Sequence, residues 1–157
     1  MIFEPSLPNK HSLNGVVKRW IQSIKNMARS IQYAAGTPPS LWCYAIEYAV
    51  YLKNRLITAS LPWGNYTGYM TPYQAYTSRK PKLDTLRIWG CVAYPFNVPD
   101  RRSRKNELRT QGEYIFIRIK GNKIWRFLNI ETLKEEVSTD VEFYEYKFPR
   151  LDIKANR

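Results

Sequence analysis

The sequence predicts an α+β fold, a helical segment followed by a small antiparallel β-barrel, and three observations predict it. Across residues 14 to 36 apolar side chains recur at helical spacing for about six turns. The run from residue 40 to 56 is apolar with almost no polar interruption. From Leu83 onward the period changes from helical to strand-like.

At about 100° per residue, Val16, Val17, Trp20, Ile21, Ile24, Met27, Ala28, Ile31 and Ala35 share one side of the first helix, and Lys18, Arg19, Lys25 and Arg29 the other. Gly36, Pro38 and Pro39 end it, because glycine suits the left-handed position after a helix and proline cannot continue one. The second run carries Leu41, Trp42, Ala45, Ile46, Ala49, Val50, Leu52 and Leu56, with Tyr44, Tyr48 and Tyr51 in the gaps. A helix that is apolar nearly all round needs cover on more than one side. The short connection makes the first helix one cover, in an αα-hairpin, and a segment after residue 60 or a piece preceding residue 14 the other. Trp20, Ile24, Ile31, Trp42, Ile46 and Val50 are the expected core, and Cys43 is expected as a buried free thiol.

Residues 1 to 13, with Pro5 and Pro8, read as an extended lead-in, and residues 58 to 70 as a loop with aromatic anchors. Thr71 and Pro72 suit a helix start, as cap and first helical residue. The basic segment Arg79, Lys80, Pro81, Lys82 marks the expected domain boundary, giving a helical unit over 1–82, a barrel over 83–147 and a tail over 148–157. Strands are expected at 86–96, 114–119, 123–129 and 136–144, with a hairpin turn at Gly121 and Asn122. A long loop over 100–111 interrupts them.

The chain of 157 residues has a formal net charge of +12 and a pI near 9.8, which points to a polyanionic partner. Arg101, Arg102, Arg104, Lys105 and Arg109 concentrate charge in the long loop. The two cysteines are too few for a disulfide framework, and with His11 the single histidine they close no zinc site, so the chain reads as intracellular and reduced. No apolar run reaches the roughly 20 residues that span a bilayer, so no membrane partner is expected.

Several blocks resemble, in order and spacing, the end of the integrase core of copia-type LTR retrotransposon polyproteins. They are Asn14-Gly15-Val16-Val17-Lys18-Arg19, Met27-Ala28-Arg29-Ser30, Ser40-Leu41-Trp42, Thr71-Pro72-Tyr73, Lys80-Pro81-Lys82-Leu83 and Leu86-Arg87-Ile88-Trp89-Gly90-Cys91. Gly121 to Arg126 and Ser138 to Phe143 resemble the later strands of the same family. The resemblance implies that the helices are the C-terminal remnant of an RNase H-like core and that the strands form an SH3-like barrel. It also implies a truncated copy, because the family's first two catalytic aspartates would precede Met1.

Lys18 stands where the family's signature has the glutamate of its Asp-Asp-Glu set. The family's strand transfer runs on two magnesium ions held by those carboxylates, and a lysine puts a cation where a cation must bind. The resemblance therefore implies no catalytic residue and no cofactor. It leaves residual binding of DNA, or alternatively RNA, through phosphates contacted by Lys18, Arg19, Lys25 and Arg29 on the helix and by the loop cations Arg101, Arg102, Arg104, Lys105 and Arg109. Such a protein is expected in the nucleus if it functions. The competing readings are a protein-interaction module that uses an exposed helix face, and a decayed reading frame without function.

Overall fold

In the computed structural model the described residues are 15–62, 69–96, 112–121 and 123–149. The amphipathic run forms helix α1, Gly15–Ala35, and the apolar run forms helix α2, Trp42–Lys53. Gly36 adopts φ +62 between them, and the chain passes through a 3-10 turn, Pro39–Leu41, before α2 begins. The helices pack against each other along Ile24, Ala28 and Ala35 of α1 and Ala45, Tyr48 and Ala49 of α2, all buried. The expected helix start also forms: α3 spans Pro72–Thr77, and the Thr71 hydroxyl accepts the Gln74 N–H at 3.1 Å.

Residues 58–62 and 69–70 depart from the expected loop, and residues 63–68, with Trp63 and Tyr66 among its expected anchors, lie outside the described residues. Strand β1, Thr58–Pro62, pairs antiparallel with β2, Tyr69–Met70, so the chain doubles back as a short ladder before α3.

The remaining strands are β3 Val92–Pro95, β4 Tyr114–Ile119, β5 Trp125–Asn129, β6 Glu135–Ser138 and β7 Val141–Tyr144. They make one antiparallel sheet in the order β6-β5-β4-β3-β7. This corrects the expectation of a closed barrel, since among the described residues β6 and β7 are edges with no ladder between them. Only Thr139 and Asp140 separate these edge strands in sequence, so consecutive Cα spacing keeps Ser138 and Val141 within about 11 Å. The sheet therefore curls until its edges approach at that turn. Phe143 of β7 lies 5.8 Å from Phe116, 5.9 Å from Phe127 and 5.4 Å from Trp125, ring centre to ring centre, and fills the inside of the curl.

Strand β4 is buried along nearly its whole length, with Tyr114, Ile115, Phe116, Ile117 and Ile119 all lost to solvent. A strand that is apolar on both faces needs a layer on each, and α2 supplies the second one: the Tyr48 ring meets Phe116 edge-on at 5.5 Å. The second cover that the α2 sequence demands is thus the sheet. One continuous core runs from Ile24 and Ala28 through Tyr48 to Phe116 and Phe127.

The expected strand over 86–96 shortens to β3 because residues 83 to 91 are held by side chains rather than by a ladder. Tyr48 donates its hydroxyl proton to the Arg87 carbonyl, Trp89 donates its indole N–H to the Ile117 carbonyl at 3.0 Å, and Trp125 donates to Thr85 at 3.3 Å. Gly90 follows with φ +78, and its N–H reaches the Phe116 carbonyl at 2.8 Å. A Cβ on Gly90 would lie 2.5 Å from the Ala35 Cβ, so the end of α1 sits directly on the glycine backbone.

Two expectations about the core are corrected. Of the large side chains expected inside, Ile24 is fully buried, whereas Ile31, Trp42, Ile46 and Val50 are half-buried at its margin and Trp20 is 43% exposed. The helices approach along Ala28, Ala35, Ala45 and Ala49, and a contact line of small residues leaves the larger ones beside it. Val16, Val17 and Ile21 are exposed with Trp20, because the first turns of α1 extend past their neighbours. Cys43 is exposed on α2, while Cys91 is in the core. Among the described residues no helix is long and apolar enough to cross a membrane.

Gly90→Ala should destabilise the fold by more than about 1 kcal/mol in denaturant unfolding, since the variant meets both the Ala35 contact and an unfavourable φ. Val16→Ala, at a residue 74% exposed, should stay within about 0.5 kcal/mol. Burial pushes the Cys91 thiol up to about 12, so a thiol reagent at neutral pH should modify Cys43 in the native protein and Cys91 only after unfolding.

Candidate nucleic-acid interface

The charge of this chain is divided between its two halves. Residues 15 to 83 hold nine Lys or Arg and one carboxylate, Glu47. Among the described residues from 84 to 149, seven Lys or Arg stand against eight Asp or Glu.

On the sheet these charges meet. Arg118 pairs with Glu47 at 2.7 Å, Arg126 with Glu135 at 3.0 Å, Arg87 with Glu145 at 3.6 Å, and Lys147 with Glu113. The Tyr44 hydroxyl donates to Glu135, which pushes the phenol up to about 12, burial adding to the effect. Hydrogen bonds from Lys147 and Tyr94 hold the Glu113 carboxyl below the usual range. Glu47 and Tyr44 come from α2, so these contacts also fasten the helix pair to the sheet, and they consume the one carboxylate of the helical half.

The cations of α1 have a different setting. Lys18, Arg19, Lys25 and Arg29 are all exposed. At helical geometry Lys18, Lys25 and Arg29 fall within about 40° of one another and are separated by about 10 and 6 Å along the axis. They form a row on the flank of the helix, away from Ile24 and Ala28. Arg19 lies about 100° around from Lys18, and its Nε–H leans on the Gly15 carbonyl at 3.4 Å. Among the described residues no carboxylate pairs with Lys25 or Arg29. Of the site residues named from the sequence, the structure therefore places Lys18, Lys25 and Arg29 in one exposed row on α1 and leaves Arg19 exposed to one side of it. Arg101, Arg102, Arg104, Lys105 and Arg109 lie outside the described residues.

A second basic group, read from the sequence only as a boundary, follows α3. Arg79, Lys80 and Lys82 are exposed, and an open groove of about 740 Å³ runs past Arg55, Thr71, Gln74, Lys80 and Pro81. Arg55 is a fixed part of that wall. Its guanidinium lies 3.4 Å from the Tyr51 ring centre and 4.8 Å from that of Tyr73, and it donates to the Tyr51 carbonyl at 3.1 Å. The sequence signal for this group was present as a run of three cations in four residues. What it lacked was the ladder of β1 and β2, which brings α3 back beside the end of α2.

The described residues do not fit a pair of magnesium ions. Lys18 stands on the exposed face of α1, Glu47 is engaged by Arg118, and no three of His, Cys, Asp or Glu come together as a ligand set. What the surface can do is neutralise phosphates, since an exposed lysine or arginine without an acidic partner loses no ion pair when it meets an anion.

No family model matches the chain, and no solved structure does. Relatives are found among plant transposons. The retrovirus-related Pol polyprotein from transposon RE2 of Arabidopsis thaliana is 28% identical over 144 residues, covering 92% of this chain and 9% of that protein. The corresponding polyprotein from transposon RE1 of the same plant matches equally, and that from transposon TNT 1-94 of Nicotiana tabacum is 27% identical over 104 residues, 66% of this chain and 7% of that protein. The chain is thus similar, over nearly all its length, to a short stretch of retrotransposon Pol polyproteins.

Proposed function

We propose that this chain is a catalytically inactive fragment of a copia-type integrase that retains phosphate-directed binding to nucleic acid, with duplex DNA as its first ligand. The observation that carries the reading is the excess of eight positive charges over residues 15 to 83, where seven of the nine cations are exposed along α1 and after α3 and the one carboxylate is already paired. The similarity to transposon Pol polyproteins supports the lineage, and the resemblance of Leu86 to Cys91 to the family's blocks supports the integrase assignment. The curled five-stranded sheet supports an SH3-like origin for the second half. Lys18 at the position of the family's glutamate supports the loss of strand transfer. If it functions, the protein works in the nucleus, where its DNA is.

A second reading has one observation in its favour. Val16, Val17, Trp20 and Ile21 present apolar surface on the first turns of α1, as a protein-interaction module would.

Binding to duplex DNA measured across a salt series tests the first reading. Log affinity should fall linearly with log salt, and replacing Lys25 and Arg29 together with Ala should shrink the slope by up to about 1.8, about equally for unrelated sequences. Replacing Arg101, Arg102 and Arg104 with Ala tests the loop in the same assay. A salt-independent affinity, or no binding at low salt, would reject the proposal. Lys18→Glu should not confer joining of oligonucleotides in magnesium or manganese, because one carboxylate cannot hold two ions. Joining by the unmodified chain would overturn the inactive assignment.

A further inference from the structure

Tyr33 is 92% exposed near the C-terminal end of α1. It lies one turn beyond Arg29 and two beyond Lys25, about 6 and 12 Å along the axis, and within about 80° of both. The same face also carries Gln22 and Asn26, joined by a hydrogen bond of 2.9 Å, and α1 has no carboxylate. An aromatic ring left this open has an unsatisfied apolar face, and the chain spends it beside two cations rather than in the core.

We infer that the outer face of α1 binds single-stranded nucleic acid, with Lys25 and Arg29 on successive phosphates and a base stacked on Tyr33. A duplex keeps its base faces inside its own stack and has nothing to offer the ring. A single strand has free base faces next to its phosphates, and every base has one, so the surface reads no sequence. Tyr76 of α3 is also 92% exposed, with the cations Arg79 and Lys80 following just after the helix ends. Tyr146 has the same exposure, 91%, but follows Glu142 and Glu145, and it supplies the internal control.

This inference rests on the proposed binding of nucleic acid and extends it to the kind of strand. The test is fluorescence anisotropy with a labelled oligothymidine of about 16 nucleotides, an abasic strand of equal length, and a duplex. Tyr33→Ala should weaken oligothymidine binding by between about 5-fold and 150-fold, the range of a lost base stack. Tyr33→Phe should bind as the unmodified protein does, and Tyr146→Ala should change nothing. The abasic strand should bind more weakly than oligothymidine and should not sense Tyr33→Ala, nor should the duplex. Equal oligothymidine affinity for Tyr33→Ala and the unmodified chain would overturn the inference while leaving duplex binding intact. Failure of the unmodified chain to bind any of the three would overturn both.

Discussion

Gly90 has no side chain, and the joining of the helix pair to the sheet depends on that. A Cβ on Gly90 would lie 2.5 Å from the Ala35 Cβ, so α1 ends against bare backbone. The same glycine passes its N–H to Phe116 in the middle of β4. Trp89 on one side ties its indole to Ile117, and Cys91 on the other is buried beneath the helices. A larger residue would lift α1 and with it α2, whose Tyr48 packs on Phe116 and holds the Arg87 carbonyl. The close approach thus allows α2 to cover one face of β4 while the curl of the sheet covers the other.

Holding the halves together in this way has an electrostatic consequence. The sheet contributes Arg118 and Arg126 at the seam, and Glu47 and Tyr44 of α2 and Glu135 of β6 meet them there. Once Glu47 is used, the remaining surface of the helices has cations and no acid of its own, whereas the sheet is nearly balanced. Partly exposed pairs such as these contribute little to stability individually, but they decide where free positive charge is left. Among the described residues it is left at Lys25 and Arg29 of α1 and after α3.

Much of this was legible in the sequence, and the failures have physical causes. Helix α1 and the Thr71 cap follow from spacing and local hydrogen-bonding chemistry, which act over a few residues. So do β4 and the hairpin into β5. Trp20 was misplaced because a helical wheel gives every residue on the apolar side equal weight, and a helix can outrun the layer it packs on, as the first turns of α1 do. Cys43 failed for a related reason: α2 is apolar all round, but its two covers leave a gap on that side. The β1 and β2 ladder and the open edge between β6 and β7 depend on which backbone groups pair, which composition does not encode. The helix cations could be named as a set because amphipathicity fixes which side they face. The Tyr33 platform could not, since nothing in a sequence says that an aromatic residue among cations stays bare.

The division of charge makes the α1 face the first place to look for bound nucleic acid. Lysine footprinting reads it directly: the protein is modified with an amine-directed reagent, with and without duplex DNA at low salt, and each lysine is quantified by mass spectrometry. DNA should protect Lys18 and Lys25 on α1 and leave Lys134, exposed among the acids of the sheet, as reactive as before. Equal modification of Lys25 with and without DNA, with protection appearing only on the sheet, would contradict a nucleic-acid interface on the helices.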